Sequence, residues 1–284
     1  MIDGATRTIG DALDAAASRL RSAGIAEPRR EAERLWGGLR REGRSAAILA
    51  RTEPLHREDD RVFADAVRRR ASGEPLAYVT GWCGFRHLEL RIDRRALIPR
   101  PETELLVELL LRRVSGGTIA DIGTGSGCIA LSLLTEGRFG RVIAIDRSRA
   151  ALDLARENAA LVGRRPLFVR GDLATSLPAD SCDAIVSNPP YLTVAEHGAL
   201  ERAVRDWEPR EALASGPDGM EATRALLADG LRVVRPGGCI ALELDASRAG
   251  LAGRSASAAG WTNVSVINDL FGRERYLLAQ RSDA

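Results

Sequence analysis

From residue 118 onward the chain alternates short apolar, β-branched runs with helical stretches, and this alternation limits the fold more than any other feature. Strand-like runs fall at 118–122 (TIADI), 141–145 (RVIAI), 166–170 (PLFVR), 183–187 (DAIVS) and 239–244 (CIALEL). Helical segments at 127–135, 148–162 and 219–234 separate most of them. Strands alternating with helices predict a mostly parallel sheet covered by helices on both faces. Two later runs, 263–267 and 275–280, predict an added antiparallel edge and bring the sheet to seven strands. In such sheets ligands bind beyond the carboxyl ends of the strands, so those ends are where chemistry is sought.

The preceding residues have another character. Ile9, Leu13, Ala16, Ala17 and Leu20 repeat at helical spacing, with Thr8 as N-cap, Asp11 three residues on and Gly24 as a stop. Pro28 suits the first turn of a second helix through Leu39. A further helical stretch carries Val62, Phe63, Ala66 and Val67 ahead of Ala71-Ser72-Gly73. From Trp82 the period changes: Leu88, Leu90 and Ile92 alternate with Glu89, Arg91 and Asp93, the pattern of one arm of a half-buried hairpin. Pro101 and the acids Glu102 and Glu104 then restart a helix. The expected organisation is a helical N-terminal docking domain over 1–75, a linking β-hairpin over 76–100 and a catalytic α/β domain over 101–284.

Composition serves mainly to exclude. None of the 41 basic residues is lysine. A Walker A phosphate loop, a Schiff-base or pyridoxal enzyme and a serine–lysine nucleophile pair are therefore ruled out. The formal net charge is +2. Residues 1–80 carry 15 Arg and 13 acids, and the rest carries 26 of each, so neither part is a basic footprint for nucleic acid. Cys83, Cys128, Cys182 and Cys239 lie at least 45 residues apart, and His56, His87 and His197 are equally scattered, so no metal spacing exists. Buried free thiols in a reducing cytoplasm are expected. Asp3, Asp11 and Asp14 interrupt the first turns, which do not read as a signal peptide. No apolar stretch approaches the roughly 18 residues needed to cross a bilayer.

Three consecutive strand ends carry ligand-binding features. The first ends in Asp121-Ile-Gly-Thr-Gly-Ser-Gly127 and runs into a helix, so Gly123, Thr124, Gly125, Ser126 and Gly127 form a loop that a ligand can approach closely. A dinucleotide fingerprint would place its third glycine at 128, which is Cys128, and this argues against a pyrophosphate cofactor. The second strand ends at Asp146, placed to accept both ribose hydroxyls. The third ends in Gly171-Asp172-Leu173, where Asp172 is placed to receive an exocyclic adenine amine and Leu173 to pack on the ring. A lone strand-end acid is commonly just solvated; three such features in succession resemble the S-adenosylmethionine-binding fold of class I methyltransferases, a Rossmann-like α/β fold.

The fourth strand ends in Ser187-Asn188-Pro189-Pro190-Tyr191. Two prolines stiffen the loop and leave the neighbouring carbonyls as free acceptors. A planar –NH2 conjugated to a carbonyl or a ring is a poor nucleophile because its lone pair is delocalised. If the Asn188 side-chain oxygen and the Pro189 carbonyl accept its two hydrogens, the nitrogen becomes more electron-rich, and the bonds strengthen as it turns positive. Tyr191 is expected to stack on the planar amide. By itself the motif leaves two substrates open, adenine in nucleic acid and the side-chain amide of glutamine.

The wider sequence bears on that choice. Gly73-Glu-Pro-Leu-Ala-Tyr-Val-Thr-Gly81, Phe85 and Leu97-Ile-Pro-Arg-Pro-Glu-Thr-Glu-Leu-Leu-Val107 resemble hallmark segments of the release-factor glutamine methyltransferases, the HemK/PrmC family. Glu208-Pro209, Ala212-Leu213, Asp218-Gly219, Pro236-Gly237-Gly238 and Asp269-Leu270-Phe271-Gly272 follow in the family order. The resemblance implies N5-methylation of the glutamine in the Gly-Gly-Gln loop of peptide-chain release factors, with S-adenosyl-L-methionine as donor. It implies that Gly123 to Gly127, Asp146, Leu173 and Asn188 bind the cofactor and that Asn188, Pro189, Pro190 and Tyr191 hold the glutamine. The stretch from Ile98 to Thr103 is expected to help close the site, and its Arg-Pro-Glu-Thr form separates the family from the sister enzyme acting on a ribosomal-protein glutamine. Glu243-Leu244-Asp245 departs from the usual Glu-Ile-Gly, so Asp245 is expected to alter that loop. An N6-adenine methyltransferase shares the catalytic loop but calls for a nucleic-acid surface that the flat charge balance does not supply. The expected partner is a release factor, with no stable nucleic-acid partner and no membrane.

Overall fold

The computed structural model describes residues 7–283, so Asp3 lies outside the described part. It divides into two compact units, one comprising the chain to Trp82 with Arg202–Trp207, the other Cys83–Glu201 with Glu208 to the C-terminus.

The first unit is helical: α1 (Ile9–Ser22), α2 (Pro28–Arg40), α3 (Arg44–Leu49), α4 (Arg57–Ala71) and α5 (Leu76–Thr80). The expected capping box opens α1, where Asp11 N donates to Thr8 Oγ1 at 3.2 Å and Thr8 N donates to Asp11 Oδ2 at 2.9 Å. Leu13, Leu20, Leu35 and Trp36 are fully buried, and Trp36 meets Phe63 edge-on with ring centroids 5.1 Å apart. Phe63, Ala66 and Val67 of α4 are buried as expected, but Val62 is 51% exposed. One helical step back from Phe63 carries Val62 off the apolar stripe. The half-buried pair Arg70–Glu31, 2.6 Å apart, ties α4 to α2.

The second unit begins at Cys83, inside the hairpin of β1 (Trp82–Phe85) and β2 (Leu88–Arg91). It continues through α6 (Pro101–Arg113), β3 (Thr118–Ile122), α7 (Cys128–Glu136), β4 (Arg141–Asp146), α8 (Arg149–Val162), β5 (Leu167–Arg170), β6 (Cys182–Ser187) and α9 (Val194–Ala199). After α10 (Arg202–Arg205), which belongs to the first unit, come α11 (Glu221–Val233), β7 (Val234–Glu243), α12 (Ala246–Ala259), β8 (Thr262–Asn268) and β9 (Glu274–Gln280). The seven strands lie in the order β5-β4-β3-β6-β7-β9-β8, with β9 antiparallel to both its neighbours and the others parallel. The strand run expected at 239–244 begins earlier, at Val234, because Val234 pairs with Cys182 before an irregularity in the ladder.

Strand alternation splits the core into two layers. Ala120, Ile122, Ile143, Ile145, Ile185 and Leu242 pack under α11 and α12, while Ile119, Val142, Ala144 and Val186 pack against α6, α7 and the hairpin. Tryptophan Trp261 closes the first layer, its indole Nε1 donating to Leu227 O at 2.9 Å. The strand order reverses beside β3, which leaves β4 on one side and β6 on the other. Ile122 sits level with Ile145 and with Ser187, and Ser187 with Leu242. The residues that follow (Gly123, Asp146, Asn188 and Glu243) therefore emerge together at one end of the sheet, at the reversal point where such folds bind ligands.

Candidate active site

The glycine loop after β3 is held by backbone bonds that only a tight turn allows. Gly123 N and Thr124 N both donate to Ile145 O, at 2.9 and 2.8 Å. Gly123, Gly125 and Gly127 have φ of +72°, +54° and +84°, the left-handed region that favours glycine. A Cβ on Gly127 would also stand 3.2 Å from Ala155 Cβ. Behind the loop, fully buried Asn158 accepts from Arg91 N at 2.7 Å and donates to Ser126 O at 2.9 Å, tying the end of β2 to the turn.

Two carboxylates organise this corner. Asp121 Oδ2 accepts from Thr124 Oγ1 at 2.6 Å and from Ala130 N at 3.1 Å. Burial nevertheless pushes its carboxyl up to about 7, opposed by those two bonds. Asp146 accepts from Ser148 N at 2.8 Å through Oδ1 and from Gly125 N at 2.9 Å through Oδ2, and burial raises its pKa as well. Each Asp146 oxygen keeps a second lone pair for a ligand hydroxyl.

These elements enclose a cavity of about 440 Å³. Gly123, Thr124, Gly125, Ser126, Asp146, Asp172, Leu173, Asn188 and Pro190 line it, which brings together most of the residues singled out from sequence. Gly127, Pro189 and Tyr191 do not line it. Gly127 instead serves as the N-cap of α7, Pro189 is buried, and Tyr191 lies near Glu243 and Arg275. Burial pushes the Tyr191 hydroxyl up to about 12, so it stays protonated at neutral pH.

The stretch expected to close the site does contribute: Leu97, Pro99, Arg100 and Thr103 line the cavity. Glu208, 5% exposed, pins it in place, accepting from Ile98 N at 3.1 Å and from Arg100 Nη2 at 2.6 Å. Asn188 is anchored to the same stretch, its Nδ2 donating to Thr103 Oγ1 at 3.2 Å. Among the described residues no donor reaches Asn188 Oδ1 or the Pro189 carbonyl. Asp245, expected to alter its loop, is the N-cap of α12 and accepts from Ser247 N at 2.9 Å.

The sequence names Glu243 only as part of the segment ending in Asp245 and gives it no role. It ends β7 with 1% exposure, and its Oε2 has no partner among the described residues. Burial pushes its carboxyl up to about 7, against the nearby Thr103 hydroxyl, Arg275 and Arg100, with Glu102 acting in the same direction as burial. Because the unfolded chain releases this proton near pH 4.3, the native state holds it through the window from about 4 to 7. Stability contributed by this group therefore falls as pH rises across that window and stays low above it. Glu243→Gln is expected to raise stability by roughly 1–3 kcal/mol at pH 8 and by almost nothing at pH 4.5. Thermal melts of both proteins at the two pH values check this; an equal gain at both, or a loss at pH 8, contradicts it. Asp121 titrates in the same range but is common to both proteins and cancels.

A ligand with hydroxyls suits this cavity. The loop presents bare backbone, Asp146 presents free lone pairs, and the buried Ser126 Oγ at the cavity wall lacks a partner among the described residues.

Comparison with known proteins shows the family. Residues 11–81 match the PrmC N-terminal domain, and residues 101–206 match the methyltransferase small domain. The release factor glutamine methyltransferase of Moorella thermoacetica is 40% identical, over 97% of this chain and 99% of that protein. The chain belongs to the release factor glutamine methyltransferase family. The family member from Deinococcus radiodurans is 39% identical over 96% of this chain and 98% of its own length. Among solved structures, a methyltransferase from Pyrococcus furiosus superposes with a TM-score of 0.52 at 20% identity, covering 69% of this chain and 89% of that one. A ribosomal protein L11 methylase from Lactobacillus delbrueckii subsp. bulgaricus gives 0.50 at 21% identity, with coverages of 66% and 81%. Those two likenesses establish the fold, and this glutamine methyltransferase family member has the class I methyltransferase architecture expected from its strand ends. Among its described residues no helix is long and apolar enough to cross a membrane.

Proposed function

We propose that this protein transfers a methyl group from S-adenosyl-L-methionine to the side-chain amide nitrogen of the glutamine in the Gly-Gly-Gln motif of peptide-chain release factors. The observation that carries the reading is Asn188: its amide nitrogen is tied to Thr103 and its oxygen is left without a donor at a cavity wall. An acceptor there suits a substrate –NH2.

When bound, S-adenosylmethionine supplies an electrophilic methyl group on a sulfonium sulfur. Its adenosine would be held by Asp146 on the ribose hydroxyls, Asp172 on the exocyclic amine and Leu173 on the ring, with the loop from Gly123 to Ser126 against the rest. Thr103 and the Glu208-pinned stretch wall off solvent. The substrate amide lies with its two hydrogens on Asn188 Oδ1 and the Pro189 carbonyl, which orients the nitrogen lone pair and enriches it. As the nitrogen becomes cationic these two bonds strengthen, each worth roughly 1.5–3 kcal/mol. The proton is lost afterwards from an acidic nitrogen, so no strong base is required. Tyr191 supports the loop carrying these acceptors from its part-buried position off the cavity wall.

The release-factor reading takes precedence over a ribosomal-protein glutamine, since the relatives are named for release factors and the Arg-Pro-Glu-Thr stretch is intact. Adenine in nucleic acid ranks below both, and no stable nucleic-acid partner is proposed. The place of action is the cytoplasm, where release factors work.

The test is a transfer assay with methyl-labelled cofactor, offering a release factor, its Gln-to-Ala loop variant, and DNA. Label in the intact release factor alone is expected. Label in DNA, or label persisting in the Ala variant, would sink the proposed substrate.

A further inference from the structure

The first turn of α6 and the end of β7 place two buried polar side chains behind Asn188. Thr103 is 3% exposed and Glu243 1%. Asn188 Nδ2 donates to Thr103 Oγ1, so the single hydroxyl proton of Thr103 is turned elsewhere. The Glu243 carboxyl lies beside that hydroxyl, and its Oε2 receives no bond among the described residues. Strands β6 and β7 are in register at Ser187 and Leu242, which sets the residue after each side by side.

We propose that Thr103 and Glu243 are positioning residues that fix the Asn188 amide with its oxygen, rather than its nitrogen, presented to the substrate. The two ends of an asparagine amide have nearly the same shape, so packing alone does not choose between them. Hydrogen-bond polarity does. With Glu243 placed to take the Thr103 hydroxyl proton, Thr103 is left to accept from Asn188, which leaves Asn188 Oδ1 as the acceptor at the cavity. A reversed Asn188 would set N–H against the substrate N–H that its oxygen should receive and lose the bond that strengthens in the transition state. A carboxyl so buried costs stability, which a purely structural position would avoid with an apolar residue.

This inference rests on the methyl-transfer reading, and failure of that reading would show separately, as no label from the wild-type protein. The experiment measures kcat and KM for a release factor with wild type, Thr103→Val, Thr103→Ser, Glu243→Leu and the Thr103→Val/Glu243→Leu double variant. Thr103→Val is expected to lower kcat by about 10–100-fold, with KM changed less than about threefold, and Thr103→Ser to recover most of the loss. The double variant is expected to be no slower than the worse single, because both substitutions break one chain. In parallel, hydrogen exchange of the Asn188 side-chain –NH2 is followed by NMR in the ligand-free protein, where Thr103→Val is expected to accelerate it. Wild-type kcat in Thr103→Val, a loss confined to KM, or unchanged Asn188 exchange would overturn the proposal. Should Glu243→Leu not fold, the Thr103 pair and the exchange measurement decide alone.

Discussion

Asn188→Ala is expected to lower turnover by about 100-fold or more while leaving cofactor affinity within about tenfold. The substitution removes the one side-chain acceptor that Thr103 holds toward the cavity, and with it a bond made strongest as the substrate nitrogen turns positive. It also removes the reference that aligns the amide for in-line attack, where an error of about 1 Å costs ~100-fold. Cofactor affinity is largely spared because the glycine loop, Asp146 and Leu173 follow β3, β4 and β5 and are left intact, while Asn188 follows β6. Steady-state kinetics with calorimetric binding of S-adenosylhomocysteine separates the two effects. If turnover survives, the account of nucleophile activation is wrong; if turnover and binding fall together, Asn188 is a cofactor ligand first.

Gly219→Ala is expected to destabilise the protein by roughly 2–4 kcal/mol, a drop of about 5–15 °C in Tm. Gly219 has a φ of +73°, and a Cβ there would stand 2.3 Å from Tyr191 O and 2.4 Å from Arg248 Nε. Neither neighbour yields easily. Tyr191 N is bound to Leu213 O at 3.1 Å, and Arg248 Nε is bound to Asp218 O at 2.9 Å. Arg248 also reaches Glu196 at 2.6 Å, a contact that holds the Glu196 carboxyl down to about 2. The strain is therefore passed into the loop carrying Asn188, so turnover falls together with Tm. Thermal melts and transfer rates measured on the same preparations check this. An alanine variant with wild-type Tm and rate would mean the Asp218-Gly219 turn does not brace the loop.

The parts of this site that were legible in the sequence are those fixed by backbone and short-range spacing. The glycines after β3, the acid ending β4 and the Asn-Pro-Pro-Tyr loop announce themselves because a tight turn, a strand end and a rigid loop each demand particular residues locally. The fold was legible for a related reason: parallel strands buried on both faces read as apolar runs, and the structure places them within a few residues of where the pattern puts them. Helix α12 was passed over because its buried face is built from Ala249, Ala252, Gly253 and Ala256, which give little amphipathic contrast. Only Asp245 before it and Gly260 after it mark its ends, and Asp245 was first considered as a departure in a loop instead of a cap. The roles of Glu208, Asn158 and Glu243 were illegible for a different reason. Each acts on a partner far away in sequence, Ile98 and Arg100 for the first, Arg91 and Ser126 for the second, Thr103 for the third. No local period records such a pairing. Tyr191 shows the converse limit, since its motif was legible while its position, near Glu243 and off the cavity wall, was not.

The central claim is that the Asn188 loop methylates an amide nitrogen on a release-factor glutamine. Tandem mass spectrometry of a release factor after reaction with the wild-type protein tests it most directly. The account predicts one methyl group on the side-chain nitrogen of the glutamine in the Gly-Gly-Gln loop, and at most a trace in the same time with Asn188→Ala. A methyl group on any other residue, or an equal yield from the two proteins, would contradict it.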